Sequence, residues 1–155
     1  MAGKSAAVAS GSTLVLQVVA VAERLGLTAR TQYKCARRIW CAERRIDIVL
    51  THAESRKRLG VECKFQGGTG SAEEKIPATI QDIEAWPIPG IVVFSGEGFS
   101  PNMKSFLIAS GKAVDLIDLE GWLRLFFGLE LVEEQQQRAK HLPPKTPAGS
   151  PPPEG

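Results

Sequence analysis

Apolar residues over 14–25 recur at helical spacing. Leu14, Val15, Val18, Val21, Ala22 and Leu25 fall on one side at about 100° per residue, with Gln17, Ala20 and Arg24 opposite. Ser12 or Thr13 is placed to cap this helix and Gly26 to end it. The pattern then changes. "TARTQYKCARRIW" (28–40) and "RRIDIVLTH" (44–52) read as strands. The polar "AESRKR" (53–58) predicts a hairpin turn into a third strand, "LGVECKFQ" (59–66). Ser71 and Glu74 have capping-box spacing for a second helix, although Pro77 kinks that helix or marks its start. "IVVFSG" (91–96) is a short apolar strand, buried on both faces by this pattern. Ser100-Pro101 opens a further helix that ends near Gly111. "AVDLI" (113–117) is a fifth strand, and Asp118 is placed to cap a last helix carrying "WLRLFFGLELV".

The order α-β-β-β-α-β-α-β-α predicts an α/β domain on a mixed sheet of about five strands, a hairpin first and crossover units after it. The length of 155 residues fits one domain, expected over 12–134. Residues 1–11 read as a flexible arm, and 135–155, polar and then proline-rich, as a disordered tail. The first apolar run closes on Ala-Val-Ala at 20–22, as a signal peptide does at its cleavage site, but Gln17 interrupts it and only Lys4 precedes it. The helical spacing explains the run better, and no apolar run approaches the roughly 18 residues that span a bilayer. A cytoplasmic protein with no membrane association is expected, with reduced thiols at Cys35, Cys41 and Cys63, which form no C-x-x-C pair.

The net charge of +2 hides an asymmetry. Residues 1–64 hold 12 Lys or Arg against 5 Asp or Glu, an excess of +7, whereas residues 65–155 carry 7 against 12, or −5. A basic half of this kind suits an anionic partner, with phosphate backbones the obvious one. Seven of these bases fall between residues 24 and 45: Arg24, Arg30, Lys34, Arg37, Arg38, Arg44 and Arg45.

The stretch "GVECKFQGGTGSAEEK" (60–75) admits two readings. A phosphate loop needs lysine directly after its last glycine; here Gly70 is followed by Ser71 and Lys75 comes too late. A dinucleotide fingerprint needs a third glycine that "GGTGS" lacks. Read as a strand, the stretch puts Val61, Cys63 and Phe65 on an apolar face, and Glu62, Lys64 and Gln66 together on the other. Paired as a hairpin, Asp47 approaches Glu62, and two carboxylates in contact repel unless a cation lies between them. Hard oxygen ligands of this kind suit Mg²⁺. The plainer alternative is that Lys64 neutralises Asp47 and Glu62 as a structural cluster.

Asp47, fourteen intervening residues, then Glu62-Cys63-Lys64 on this framework resembles the PD-(D/E)XK nuclease superfamily over roughly 13–127. Ile46 stands where the usual proline would be. The resemblance implies a restriction-endonuclease-like core and a metal-dependent DNA endonuclease that leaves a 5′-phosphate. It implies Asp47, Glu62 and the backbone carbonyl of Cys63 as ligands of Mg²⁺, for which Mn²⁺ substitutes, with Glu23 of the first helix a candidate further ligand. Lys64 would position the attacking water and neutralise the phosphate; Gln66 would orient water, metal or phosphate. Lys75 would meet a phosphate, and Arg37, Arg38, Arg44 and Arg45 would flank bound DNA. The absence of a specificity domain favours a structure-directed nuclease, such as a junction resolvase, a repair or phage enzyme, or a minimal restriction enzyme. Cutting two strands would take a homodimer. The alternatives are a non-catalytic nucleic-acid-binding module on the same fold and a protein with a purely structural charge cluster. Trp86 reads as a core anchor, Arg56, Lys57 and Arg58 as a solvated hairpin tip. His52 and His141 are too far apart in sequence to argue a catalytic pair.

Overall fold

In the computed structural model, which describes residues 10–37, 43–68 and 72–143, the apolar stripe near the N-terminus forms helix α1 (Gly11–Arg24). The helix starts earlier than its apolar residues suggest, and the cap is Ser10 rather than Ser12 or Thr13. The extended backbone of Ser10 lets its Oγ accept the Thr13 N–H at 3.2 Å. Gly26 ends the helix in the left-handed region, at φ 79°.

Three antiparallel strands follow: β1 (Thr28–Arg37), β2 (Glu43–Thr51) and β3 (Arg58–Phe65). Helix α2 (Ala72–Glu84) then crosses to β4 (Gly90–Ser95), and α3 (Pro101–Ala109) to β5 (Ala113–Asp115). The β3–β4 and β4–β5 pairs are parallel, and the five strands lie in chain order. This is the mixed sheet that the element order predicts, a restriction-endonuclease-like α/β core. Helix α2 begins five residues before Pro77 and carries the proline inside it. Ser71, Thr69 and Gly70 lie outside the described residues, so the capping box does too.

The fifth strand is shorter than expected, because Asp115 accepts the Ile117 N–H at 3.1 Å and starts a 3₁₀ turn over 116–118. Asp118 makes no side-chain cap bond to the helix that follows. The expected last helix is two helices, α4 (Leu119–Phe127) and α5 (Leu129–His141), broken at Gly128 with φ 64°. Residues 135–141 are therefore helical, not part of an unstructured tail. Gln, Arg, Ala and Lys favour helix, Arg138, Lys140 and His141 oppose the dipole at its end, and Pro143 comes only afterwards. Residues 144–155 and 1–9 lie outside the described residues.

Each sheet face has its own core. On one, Leu14, Val18 and Ala22 of α1 and Leu119, Leu123 and Phe127 of α4 cover Ile48, Leu50, Leu59, Val61, Cys63 and Val93. On the other, Ile76, Ile80 and Ile83 of α2, with Leu107 and Trp86, cover Ile46, Val49, Val92 and Phe94. Trp86 is the anchor expected of it. Its ring lies so close to Gly60 and Gly90 that a Cβ there would come within 2.6 and 2.5 Å of ring carbons. Among the described residues no helix is long and apolar enough to cross a membrane.

Candidate active site

Beyond Gly60, which lies under the Trp86 ring, the second core meets a polar row at the C-terminal end of β3. Gly60, Glu62, Lys64 and Gln66 alternate with the buried Leu59, Val61 and Cys63, so the strand period puts one glycine and three polar side chains on the α2 face. Glu62 and Lys64 are half-buried and Gln66 is buried.

Asp47 reaches them through an irregularity in β2. The β2–β3 ladder ends at Ile48↔Val61; one step further would pair Asp47 with Glu62. Instead Asp47 Oδ2 accepts the Cys63 N–H at 3.0 Å, its side chain taking over the bond that a strand carbonyl would make. On the other side of β2, Gln32 sits opposite Asp47 with φ 52°, between the pairs Thr31↔Ile48 and Tyr33↔Ile46. Ile46 and Ile48 lie in opposite cores although they are two residues apart, so the strand turns over at Asp47.

Asp47 and Glu62 lie close enough for each carboxyl to bear on the other's charge. Burial first and then Asp47 push the Glu62 carboxyl up to about 8; Lys64 opposes the shift and Asp82 adds to it. A charge withdrawn from water beside a like charge is disfavoured, and a cation between the two carboxyls would satisfy both. The Cys63 thiol is itself pushed far above the usual thiol range, chiefly by burial and then by the two carboxylates. It lies on the opposite face, packed in the core beneath α1 and α4.

The described residues include no group of three or more His, Cys, Asp or Glu side chains placed to cage a metal. Two carboxylates with a nearby carbonyl fit Mg²⁺, which keeps waters and substrate oxygens in its shell rather than a full protein cage. The donor set thus fits the cation that the sequence implies.

The other expected residues divide. Glu23 is exposed on α1, against the other sheet face, and its charge is not among those that act on Glu62. Lys75 is exposed near the start of α2. Arg45 is exposed and pairs with Glu43 at 2.9 Å, a carboxylate that also takes Lys34 at 3.1 Å. The two bases hold the Glu43 carboxyl below its usual range. Arg44 points the other way and is largely buried. Its Nε is 3.2 Å from Asp82 Oδ1 and its Nη1 donates to the Ala85 carbonyl at 3.3 Å. The Nε contact is an ion pair without hydrogen-bond alignment. Arg44 therefore anchors the end of α2 rather than standing open at the cleft. Arg38 and the side chain of Arg37 lie outside the described residues. At the hairpin tip, Lys57 donates to the Phe126 carbonyl and sits 4.2 Å from that ring's centroid, so the tip is tied to α4.

Sequence reasoning missed Asp82. It binds Arg44, accepts from Trp86 Nε1 at 3.4 Å and acts on Glu62. The signal was its position between the inward Ile80 and Ile83 of an amphipathic helix, at the border of the buried stripe.

A profile described as a PD-(D/E)XK nuclease superfamily domain matches residues 7–123. No curated protein matches. A solved crystal structure of a protein of unknown function, AF1548, is 21% identical over 66% of this chain, with a TM-score of 0.46. The match spans 58% of that protein's length. With three quarters of the chain matched by the family profile and the D…E-x-K side chains gathered at one strand divergence, the chain belongs to the PD-(D/E)XK nuclease superfamily.

Proposed function

We propose that the protein is a Mg²⁺-dependent DNA endonuclease, with Mn²⁺ able to substitute. The observation that carries this reading is Asp47, held by the Cys63 N–H beside the half-buried Glu62, with the Lys64 charge acting on Glu62. Superfamily membership supports a nuclease; the charge excess in the first half supports a phosphate polymer as its substrate.

Asp47, Glu62 and the Cys63 carbonyl would hold the cation. When bound, Mg²⁺ would polarise the scissile phosphodiester and lower the pKa of a water. The protein's own part is electrostatic. Lys64 brings a positive charge to the site, where it would neutralise the phosphate as negative charge builds up on it. The backbone N–H of Cys63 fixes Asp47 before substrate arrives, so no reorganisation is needed there at the moment of reaction. Lys75 and Arg45 are exposed and would meet flanking phosphates, whereas Arg44 serves by holding α2 in place. The described residues of one chain carry one such centre, so cutting both strands of a duplex at one position calls for two copies.

The test is a panel of linear, nicked, flapped and four-way DNA, with a single-stranded RNA control, incubated with Mg²⁺ or Mn²⁺ and with EDTA. Metal-dependent cleavage of DNA supports the proposal. Salt-dependent DNA binding without cleavage under any metal would replace it with a binding module on the same fold.

A further inference from the structure

Gln66 is held by the loop between β4 and α3 with unusual completeness. Its backbone N–H donates to the Ser95 carbonyl at 3.1 Å, and its own carbonyl accepts the Gly98 N–H at 2.8 Å. Its side-chain Nε2 donates to the Gly98 carbonyl at 2.9 Å. Two glycines make this approach possible. Gly96 has φ 116°, and a Cβ there would lie 2.1 Å from the Gln66 carbonyl oxygen. A Cβ on Gly98 would lie 2.4 Å from the Gly68 carbonyl oxygen and 2.8 Å from Gln66 Cγ. These are backbone clashes that a side-chain rotation cannot relieve, so the loop fits only as Gly-x-Gly.

One polar atom is left over. Gln66 is 6% exposed, and its Oε1 is buried with no hydrogen-bond partner among the described residues. A buried acceptor without a donor is destabilising and is kept where another state supplies the donor. One amide N–H is taken by Gly98, and Oε1 is the acceptor left without a donor. The donor side chain two residues away on the same strand face is that of Lys64, half-buried in the same row.

Resting on the nuclease reading above, we propose that the Gly96–Gly98 loop is a clamp that makes Gln66 a positioning residue for Lys64. In the substrate-loaded site Gln66 Oε1 accepts an N–H of the Lys64 ammonium and holds it toward the reacting phosphate. Gln66 acts through Lys64 and does not touch the DNA.

The test combines a double-mutant cycle with a readout that needs no cleavage. Gln66→Met keeps the shape and removes both bonds. It is expected to lower kcat by about 100-fold, the scale of a misplaced catalytic group, with the Kd for DNA measured in EDTA changed by less than about twofold. Gly98→Ala is expected to lower kcat similarly, and Gly98→Ala with Gln66→Met no further than Gln66→Met alone, because the two changes break one device. In a Lys64→Ala background, Gln66→Met is expected to have no effect. Additive losses, or a weakening of Kd that matches the fall in kcat, would overturn the proposal. If Gly98→Ala does not fold, the Gln66 and Lys64 pair of variants completes the cycle without it. The clamp itself is read by NMR in the wild type: the Gln66 side-chain amide protons exchange slowly with solvent. Fast exchange overturns the clamp whatever the activity. A wild type that cuts no DNA under any metal removes the nuclease reading and the Lys64 role with it, while slow exchange would still support the clamp.

Discussion

Replacing Glu62 by Gln makes the protein more stable at alkaline pH while disabling the site. In the wild type, burial and Asp47 push the Glu62 carboxyl up from 4.5 to about 8. The native state therefore keeps a proton that the unfolded chain releases above about pH 4.5. This contribution to stability is fully present below about 4.5, shrinks as pH rises, and is gone above about 8. At about 1.4 kcal/mol per pH unit, the interval sets a ceiling of about 5 kcal/mol. Glu62 is only half-buried, and screening by solvent reduces this to about 2–3 kcal/mol. Gln is neutral at every pH and mimics the protonated form. Glu62→Gln should match the wild type at pH 5 and exceed it by about 2–3 kcal/mol at pH 9. Chemical denaturation in EDTA at both values measures the difference. Mg²⁺ at pH 9 should restore much of the wild-type deficit by binding the native state, and should add little to the variant. A wild type equally stable at pH 5 and 9, or a variant that loses stability in parallel with it, would refute this picture of the carboxyl pair.

Other outcomes follow from the same geometry. Trp86→Ala removes the ring packed on Gly60 and Gly90 and should cost about 3–5 kcal/mol in a denaturant titration; a decrease below about 1 kcal/mol would mean that the ring is not the anchor between α2 and the sheet. Arg44→Met removes the cation beside Asp82, close to Glu62, and should destabilise by about 2 kcal/mol, a deficit that Arg44→Met with Asp82→Asn largely recovers; no recovery in the double variant would separate the two residues. Replacing Arg45 and Lys75 together should lower the magnitude of the salt slope of DNA binding by roughly 0.9 for each phosphate that is no longer neutralised; an unchanged slope would put the DNA on another surface.

Much of the site is legible in the chain because a strand's period of two is rigid. Once 59–66 is a strand, Glu62, Lys64 and Gln66 must share a face, and Val61 and Cys63 the other. The route by which Asp47 joins them is not legible. A regular hairpin would place it opposite Glu62 by register alone. In the structure the ladder stops one pair short, β2 turns over, and the side chain bonds to the Cys63 amide. That turn lies opposite Gln32, which adopts a positive φ on the neighbouring strand, a conformation that glutamine's propensity does not announce. The roles of the bases are legible in sign but not in partner. Arg44 and Arg45 are adjacent in sequence and so point to opposite sides, one to Asp82 on α2, the other to Glu43. Only the docking of α2 decides which is sequestered. At the C-terminal end, polarity hides a run of helix-forming residues. Polarity alone does not distinguish a solvated helix from an unstructured tail, and α5 is exposed over most of its length.

Whether Asp47, Glu62 and Lys64 form a metal-dependent nuclease centre is decided by the nicking rate of plasmid DNA. Wild type and Lys64→Ala are compared with Mg²⁺ and with EDTA, and binding of both proteins to the same DNA is measured in EDTA. Nicking is expected only with Mg²⁺, at the full rate from the wild type and at a residual rate at least about 100-fold lower from Lys64→Ala, with DNA affinity in the variant reduced by no more than the removal of one positive charge explains. Nicking by Lys64→Ala at the wild-type rate, or nicking by the wild type that persists in EDTA, would contradict it.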